Sequence, residues 1–283
     1  MTEPALGSAS ELAANIAIVT GSAQGLGLGM VETLARLGAH AIIADIQVEK
    51  AAAEAERLAG MGLSVEAKRL DVSDSQQVDR CFSEVSDQHG SLDIVVNNAG
   101  VGQVVTPIVE LDDREWDRVI KITLTGAFYC CRAAGRIMER QESGRIVNIA
   151  SINAQNPAAL VAAYNVAKSG VLSLTKTMAL EMAAYGVQVN AVCPGPVYTD
   201  FNRTVMAQRC KSLGISEADM IEKVRGAIPL GRWGEFSDIA NAVAFLCSPR
   251  NNWMTGDVIR VSGGLEGVSA APPKRPRTES ISG

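Results

Sequence analysis

Short apolar runs alternate with longer amphipathic stretches along nearly all of this 283-residue chain, and nothing else limits its fold as strongly. The runs are NIAIVT (15–20), AHAIIAD (39–45), SVEAKRLDV (64–72), LDIVVNNAG (92–100), GRIVNIAS (144–151), VQVNAVCPG (188–195) and GDVIRVSGG (256–264). Most are near-continuous and β-branched, as strands buried on both faces read. Between them lie helical patterns at 25–38, 48–60, 75–89, 113–140, 161–185 and 236–247. Gly38, Gly60 and Gly90 supply stops, and Asp74 or Ser75 a cap. The fold expected is α/β: a doubly wound parallel sheet of about seven strands with helices on both faces. It forms one domain, 12–267, after an N-terminal arm, 1–11. Residues 196–230 read as an irregular lid with Gly214 and Gly226 as hinges, and 268–283 as a disordered basic, Pro-rich tail.

Composition removes several chemistries. The chain has only two histidines, His40 and His89, so a three-histidine catalytic zinc site cannot be built. Neither stands beside a plausible nucleophile in sequence. The six cysteines show no CxxC spacing and read as buried, reduced thiols; no metal is expected. Net charge is −5, which gives the body of the protein no basis for nucleic-acid binding. In the tail, KRPR (274–277) reads first as solvated, with a nuclear-import or nucleic-acid patch as the alternative. No apolar stretch reaches ~18 residues, so no membrane association is expected, and residues 1–14 lack a basic leader. A cytoplasmic location follows as an expectation. Acid–base work falls to the four tyrosines, lysine or a carboxylate. Tyr129 and Tyr185 read as packing residues, whereas Tyr198 lies in a loop that meets substrate or fills the lid.

Three motifs carry chemistry. TGSAQGLG (20–27) follows the first strand and opens the first helix. Gly21, Gly25 and Gly27 permit a tight turn and close approach to a pyrophosphate, with Gln24 and Leu26 between them. Asp45 ends the second strand, 24 residues after Gly21, where a carboxylate accepts hydrogen bonds from the adenosine ribose. It repels a 2′-phosphate, and no Lys or Arg lies at 20–30 or 46–48 to offset it; NAD is therefore expected, NADP less so. Ser151 ends the fifth strand, and Tyr164 and Lys168 share a helix face at i, i+4. A nearby lysine cation lowers a phenol toward working pH.

With these motifs in order, residues 12–265 resemble the short-chain dehydrogenase/reductase family, of the single-domain type of about 250 residues with a Rossmann-type sheet. The resemblance also covers Asp71, the run Asn97 to Gly100, Asn190, Pro194-Gly195 with Thr199, and Gly263-Gly264. It implies that Tyr164 is the general acid/base, that Lys168 lowers its pKa and holds the nicotinamide ribose, and that Ser151 hydrogen-bonds the substrate oxygen. It implies further that Asp71 and Val72 lie at the adenine, that Asn98, Ala99 and Gly100 pack along the cofactor, and that Pro194, Gly195, Val197 and Thr199 contact the nicotinamide. Thr123 stands where the family has an asparagine that holds a water. It can bond a helix carbonyl but lacks the amide. A neutral variant, a slower reaction and a different physiological reaction all stay open.

The substrate-side positions Gln103, Asn153, Tyr198, Phe201 and Met206 are mostly apolar or amide, so an uncharged secondary alcohol or ketone is expected. Alternatives are an NADP-linked ketoreductase of a polyketide or acyl intermediate, and a catalytically weak dinucleotide sensor or scaffold on the same fold. Apolar excess on the two long helices predicts a homo-oligomer, specifically a tetramer.

Overall fold

The computed structural model describes residues 11–199, 206–208, 210 and 214–267. The expected arm (1–10 of it), Phe201 and the tail 268–283 lie outside the described residues. Seven strands form one parallel sheet: β1 (Ile16–Thr20), β2 (His40–Asp45), β3 (Val65–Arg69), β4 (Ile94–Asn97), β5 (Gly144–Ile149), β6 (Val187–Pro194) and β7 (Val258–Val261). Their spatial order is β3-β2-β1-β4-β5-β6-β7. The parallel register sets Ile18 between Ile42 and Val95.

The continuous apolar runs have a direct cause. Successive strand residues point to opposite faces, and both faces are covered. Ala17, Val19, Ile43 and Val96 face a core with α1 (Gly25–Arg36), α2 (Val48–Ala59) and α8 (Phe236–Cys247). Ile18, Ile42, Val95 and Ile146 face a second core with α3 (Ser75–His89), α5 (Gly126–Gln141) and α6 (Ala162–Met182). Phe82 of α3 is fully buried there, a contribution of about 1.5–3 kcal/mol. All six cysteines are buried and form no disulfide.

Several boundaries differ from the sequence reading. The run 92–100 is a strand only to Asn97, because Asn98 N–H turns back to the Val96 carbonyl. The run 64–72 leaves the sheet after Arg69, where Asp71 Oδ1 accepts Ser73 N–H and begins a turn. The pattern 113–140 is α4 (Asp113–Ile120) and α5 joined by one wide π-helical turn, Lys121–Thr125. That turn contains Thr123, and such turns recur at functional sites. In the expected lid, Gly226 is no hinge, since it lies inside α7 (Glu217–Ala227). Gly214 does adopt positive φ, at 64°. At α3 the expected cap is Asp74, whose carboxylate accepts from Gln76 and Gln77 N–H.

The strand order reverses between β1 and β4. Chains leaving these strands diverge to opposite faces and leave a crevice at their carboxyl ends, where ligands of such sheets bind. Among the described residues, no helix is long and apolar enough to cross a membrane.

Candidate active site

The crevice is two adjoining cavities that share Gly21, Gln24, Asn98 and Gly100. The glycine turn forms their common floor and is braced from β4. Thr20 Oγ1 accepts from Asn98 N–H and Ala99 N–H, each at 3.1 Å. Asn98 Nδ2 donates to the carbonyls of Thr20 (3.0 Å) and Gly21 (2.8 Å). Two glycines admit no side chain here. A Cβ on Gly21 would lie 2.7 Å from Ala99 Cα, and φ there is 62°. A Cβ on Gly27 would lie 2.5 Å from the Gly21 carbonyl oxygen. The turn then runs into the N-terminus of α1, whose first N–H groups favour an anion.

One cavity, of about 510 Å³, is lined by Asp45, Ile46, Gln47, Asp71, Val72 and Ala99. Asp45 is buried at 5% exposure. Its Oδ2 accepts Ala23 N–H and its Oδ1 Gln47 N–H, both at 2.9 Å. The carboxylate therefore ties the glycine turn to the end of β2 and keeps lone pairs for a hydroxyl. Sequence spacing did not reveal Arg118 on this wall, where it bonds Glu115 and the Gly102 carbonyl. Nor did it reveal Lys50, whose ammonium hydrogen-bonds Gln24 at the rim. Lys50 comes from α2 and Arg118 from α4, so neither is near the glycine turn in sequence.

The other cavity, of about 480 Å³, gathers Ser151, Tyr164, Lys168, Pro194, Gly195 and Thr199, with Gly25, Leu26, Gly27 and Val197. Ser151 is held at the end of β5 and caps the following turn, its Oγ accepting Asn153 N–H at 3.2 Å. Tyr164 and Lys168 come from the first turns of α6, and Lys168 Nζ lies 5.9 Å from the Tyr164 ring centroid. The ammonium donates to the Ile149 carbonyl at 2.6 Å. Burial pushes Lys168 down to about 8. The phenol departs from the sequence expectation: burial raises the Tyr164 pKa, against the opposing pull of its Ser151 hydrogen bond. A raised value keeps Tyr164 protonated at neutral pH, ready to donate.

Substrate-side expectations divide. Tyr198 and Val197 line the second cavity; Tyr198 stands edge-on to Trp233 and its hydroxyl donates to Glu217 at 3.1 Å. Gln103, Asn153 and Met206 do not line it. Gln103 is buried because its amide satisfies backbone at the start of α6, donating to the Leu160 carbonyl and accepting Ala163 N–H. Met206 packs on Cys210 and Met220. Phe236, opening α8, lines the cavity and was missed, since nothing in a helix-start phenylalanine marks it as a site residue. Thr123 is buried, and its hydroxyl accepts Val101 N–H at 3.1 Å. It reaches the site through Val101, which lines the first cavity, and through Gly100, on which a Cβ would lie 3.5 Å from both Thr123 Oγ1 and Lys168 Nζ.

The enoyl-(acyl carrier protein) reductase family model matches residues 21–266. The chain belongs to the short-chain dehydrogenase/reductase family. This short-chain dehydrogenase/reductase is 35% identical over 249 residues to sorbitol dehydrogenase of Cereibacter sphaeroides, covering 88% of this chain and 96% of that one. It is 36% identical over 252 residues to the 3-oxoacyl-[acyl-carrier-protein] reductase FabG of Staphylococcus aureus, covering 88% and 97%. Among solved structures, an actinorhodin polyketide ketoreductase variant with NADPH superposes with a TM-score of 0.86 at 30% identity, covering 90% and 98%. Family members such as these are oxidoreductases of alcohols and ketones.

The lysine's burial has a measurable consequence. A lysine lowered below its unfolded value destabilises the fold fully below about pH 8, and the effect fades as pH rises through the unfolded amine's range. Lys168→Met is therefore expected to raise stability by on the order of 1–3 kcal/mol at neutral pH and by little above ~10. Urea unfolding at the two pH values checks this, and an equal gain at both would contradict it.

Proposed function

We propose that this protein is an NAD-dependent dehydrogenase/ketoreductase that interconverts an uncharged secondary alcohol and its ketone, with Tyr164 as the proton carrier. The convergence of Ser151, Tyr164 and Lys168 on one wall of the cavity floored by the glycine turn carries this reading. The residues fit a nicotinamide dinucleotide: Gly21 and Gly27 leave room only for backbone against a pyrophosphate, and Asp45 faces the cavity beyond. When bound, the cofactor supplies the hydride.

The chain's own residues do the rest. Ser151 donates a hydrogen bond to the carbonyl oxygen and positions it at Tyr164. The phenol donates its proton to that oxygen in reduction and takes it back in oxidation. Lys168, held by the Ile149 carbonyl, flanks the ring and compensates phenolate charge as it forms. Because burial raises the phenol, ketone reduction is favoured at neutral pH and alcohol oxidation grows toward alkaline pH. Among the described lining residues, Lys168 is the one cation and no carboxylate is present, which suits an uncharged substrate.

NAD is favoured by the buried Asp45 carboxylate. Asp45→Asn is expected to raise the NADPH-to-NADH ratio of kcat/KM by about tenfold or more, since a like charge facing the 2′-phosphate is removed. Equal use of both cofactors by the unaltered protein would overturn the preference. A second reading, an NADP-linked ketoreductase of an acyl or polyketide intermediate, draws support from the names of the relatives. It requires a cation at the 2′-phosphate; Lys50 and Arg118 are engaged by Gln24 and by Glu115 with Gly102, so the exposed Arg69, which pairs with Asp45 across β2 and β3, is the cation this reading would use.

The protein acts as a homo-oligomer in this reading, a tetramer through α5 and α6. Phe128 of α5 and Val166 and Leu180 of α6 leave apolar surface exposed, Leu180 at 83%. Light scattering at micromolar concentration is expected to give a multiple of the chain mass, and a monomeric mass would refute this.

A further inference from the structure

The chain's only two histidines meet at the end of the sheet opposite the cavities. His40 opens β2, Glu66 is the second residue of β3, and His89 closes α3. The two imidazole centroids are 4.5 Å apart. Glu66 Oε1 lies between them, 3.3 Å from His89 Nε2 and 3.9 Å from His40 Nε2. One ligand-type atom from each residue lies within 4.8 Å of the others. Donors around a tetrahedral zinc ion, with bonds of about 2.0–2.2 Å, stand about 3.4 Å apart. Small rotations of three partly exposed side chains close that difference.

Two observations point to a cation there. His40 Nε2 is buried and has no hydrogen-bond partner, a costly state for a ring nitrogen. His40 Nδ1 lies 2.7 Å from Ser64 Oγ. With Nδ1–H donating to that hydroxyl, Nε2 presents its lone pair toward Glu66, and partners of this kind fix the tautomer of metal-binding histidines. Gln88 Nε2 donates to Glu66 Oε2 at 3.4 Å, which leaves Oε1 facing the rings. The competing cation is Lys68, whose Nζ is 3.9 Å from Glu66 Oε1 and donates to Gln88 Oε1 at 3.0 Å. Its side chain is partly exposed and has solvent as an alternative.

We propose that His40, Glu66 and His89 form a site for a divalent transition metal, zinc by ligand type, with water completing the coordination. The ion would clamp β3, the edge strand of the sheet, to β2 and to the end of α3. Linear spacing hides the site, because its ligands come from three elements. It lies apart from the crevice, so its test does not depend on the proposed reaction.

The full chain, without any histidine tag, is titrated with ZnCl2 by calorimetry near neutral pH, and with Co2+ by visible absorption. The expected result is one equivalent of Zn2+ per chain and Co2+ bands of nitrogen and oxygen ligation. Affinity should fall by about tenfold or more in both His89→Asn and Glu66→Gln. Zn2+ should also raise the Tm of the unaltered chain and not that of the variants. Should His89→Asn fail to fold, Glu66→Gln and His40→Gln carry the comparison. No uptake at millimolar Zn2+, uptake unchanged in the variants, or Co2+ bands of thiolate ligation would each overturn the proposal.

Discussion

Tyr164→Phe is expected to lower kcat for ketone reduction by about 10²–10⁴-fold while leaving dinucleotide affinity within about twofold. The substitution removes one oxygen and keeps the ring that packs beside Val119, Ala163 and Ala167. The fold should therefore survive, and far-ultraviolet dichroism should be unchanged. What is lost is the proton donor beside Ser151. The effect belongs to kcat more than KM, because proton transfer is made in the transition state. The pH profile supplies a second readout. In the unaltered protein two groups of the site titrate on the alkaline side: Lys168, which burial pushes down to about 8, and the phenol, which burial sets above its ordinary value. Residual activity of the phenylalanine variant should keep the limb of Lys168 and lack that of the phenol. Steady-state NADH oxidation against a panel of ketones measures both. Unchanged turnover in the variant would refute Tyr164 as the proton carrier. Dinucleotide binding with no turnover in either protein would favour the sensor reading.

Gly27→Ala is expected to weaken dinucleotide binding by about 100-fold or more and to destabilise the fold by about 1–3 kcal/mol. The new methyl has no direction of escape. It would meet the Gly21 carbonyl oxygen at 2.5 Å, Asn98 Nδ2 at 2.7 Å and Ser22 Cα at 2.7 Å. Two of these are backbone, and the third is the side chain that braces the turn. Relief requires the glycine turn to move away from β4. That breaks the Asn98 hydrogen bonds to the Thr20 and Gly21 carbonyls and displaces the N–H groups that face the pyrophosphate. Fluorescence titration with NADH and urea unfolding separate the two effects. Gly25→Ala is a useful contrast: its Cβ meets nothing within 4 Å, so only its φ of 61° opposes the change. A Gly27→Ala variant that binds NADH normally would show that the turn is more pliable than its packing implies.

The two predictions draw on different kinds of legibility. The glycine turn, the strand runs and the i, i+4 pair of Tyr164 and Lys168 are local patterns. Each is imposed by a backbone conformation or a period, so each is written in consecutive residues. Asp45 was found in the same way, as the end of a strand at a set distance from the turn. Its bond to Ala23 N–H was not, because that bond crosses between two elements. Gln103 illustrates the opposite error. An amide beside the crevice in sequence reads as a substrate contact, yet its nitrogen donates to the Leu160 carbonyl and its oxygen accepts Ala163 N–H at the start of α6. Sequence proximity cannot show whether a polar group is already satisfied.

The sequence by itself determined the layered α/β architecture and the candidate residues of the glycine turn and of the Ser151, Tyr164 and Lys168 set. Periodicity and turn chemistry are local, and a parallel sheet with short connections leaves few ways to assemble them. Tertiary structure alone decided the electrostatics. Burial set the direction of the Tyr164 and Lys168 shifts, because desolvation depends on everything packed around a group and not on its neighbours in the chain. It also decided that two histidines 49 positions apart face one carboxylate, since only folding brings β2, β3 and α3 to the same edge.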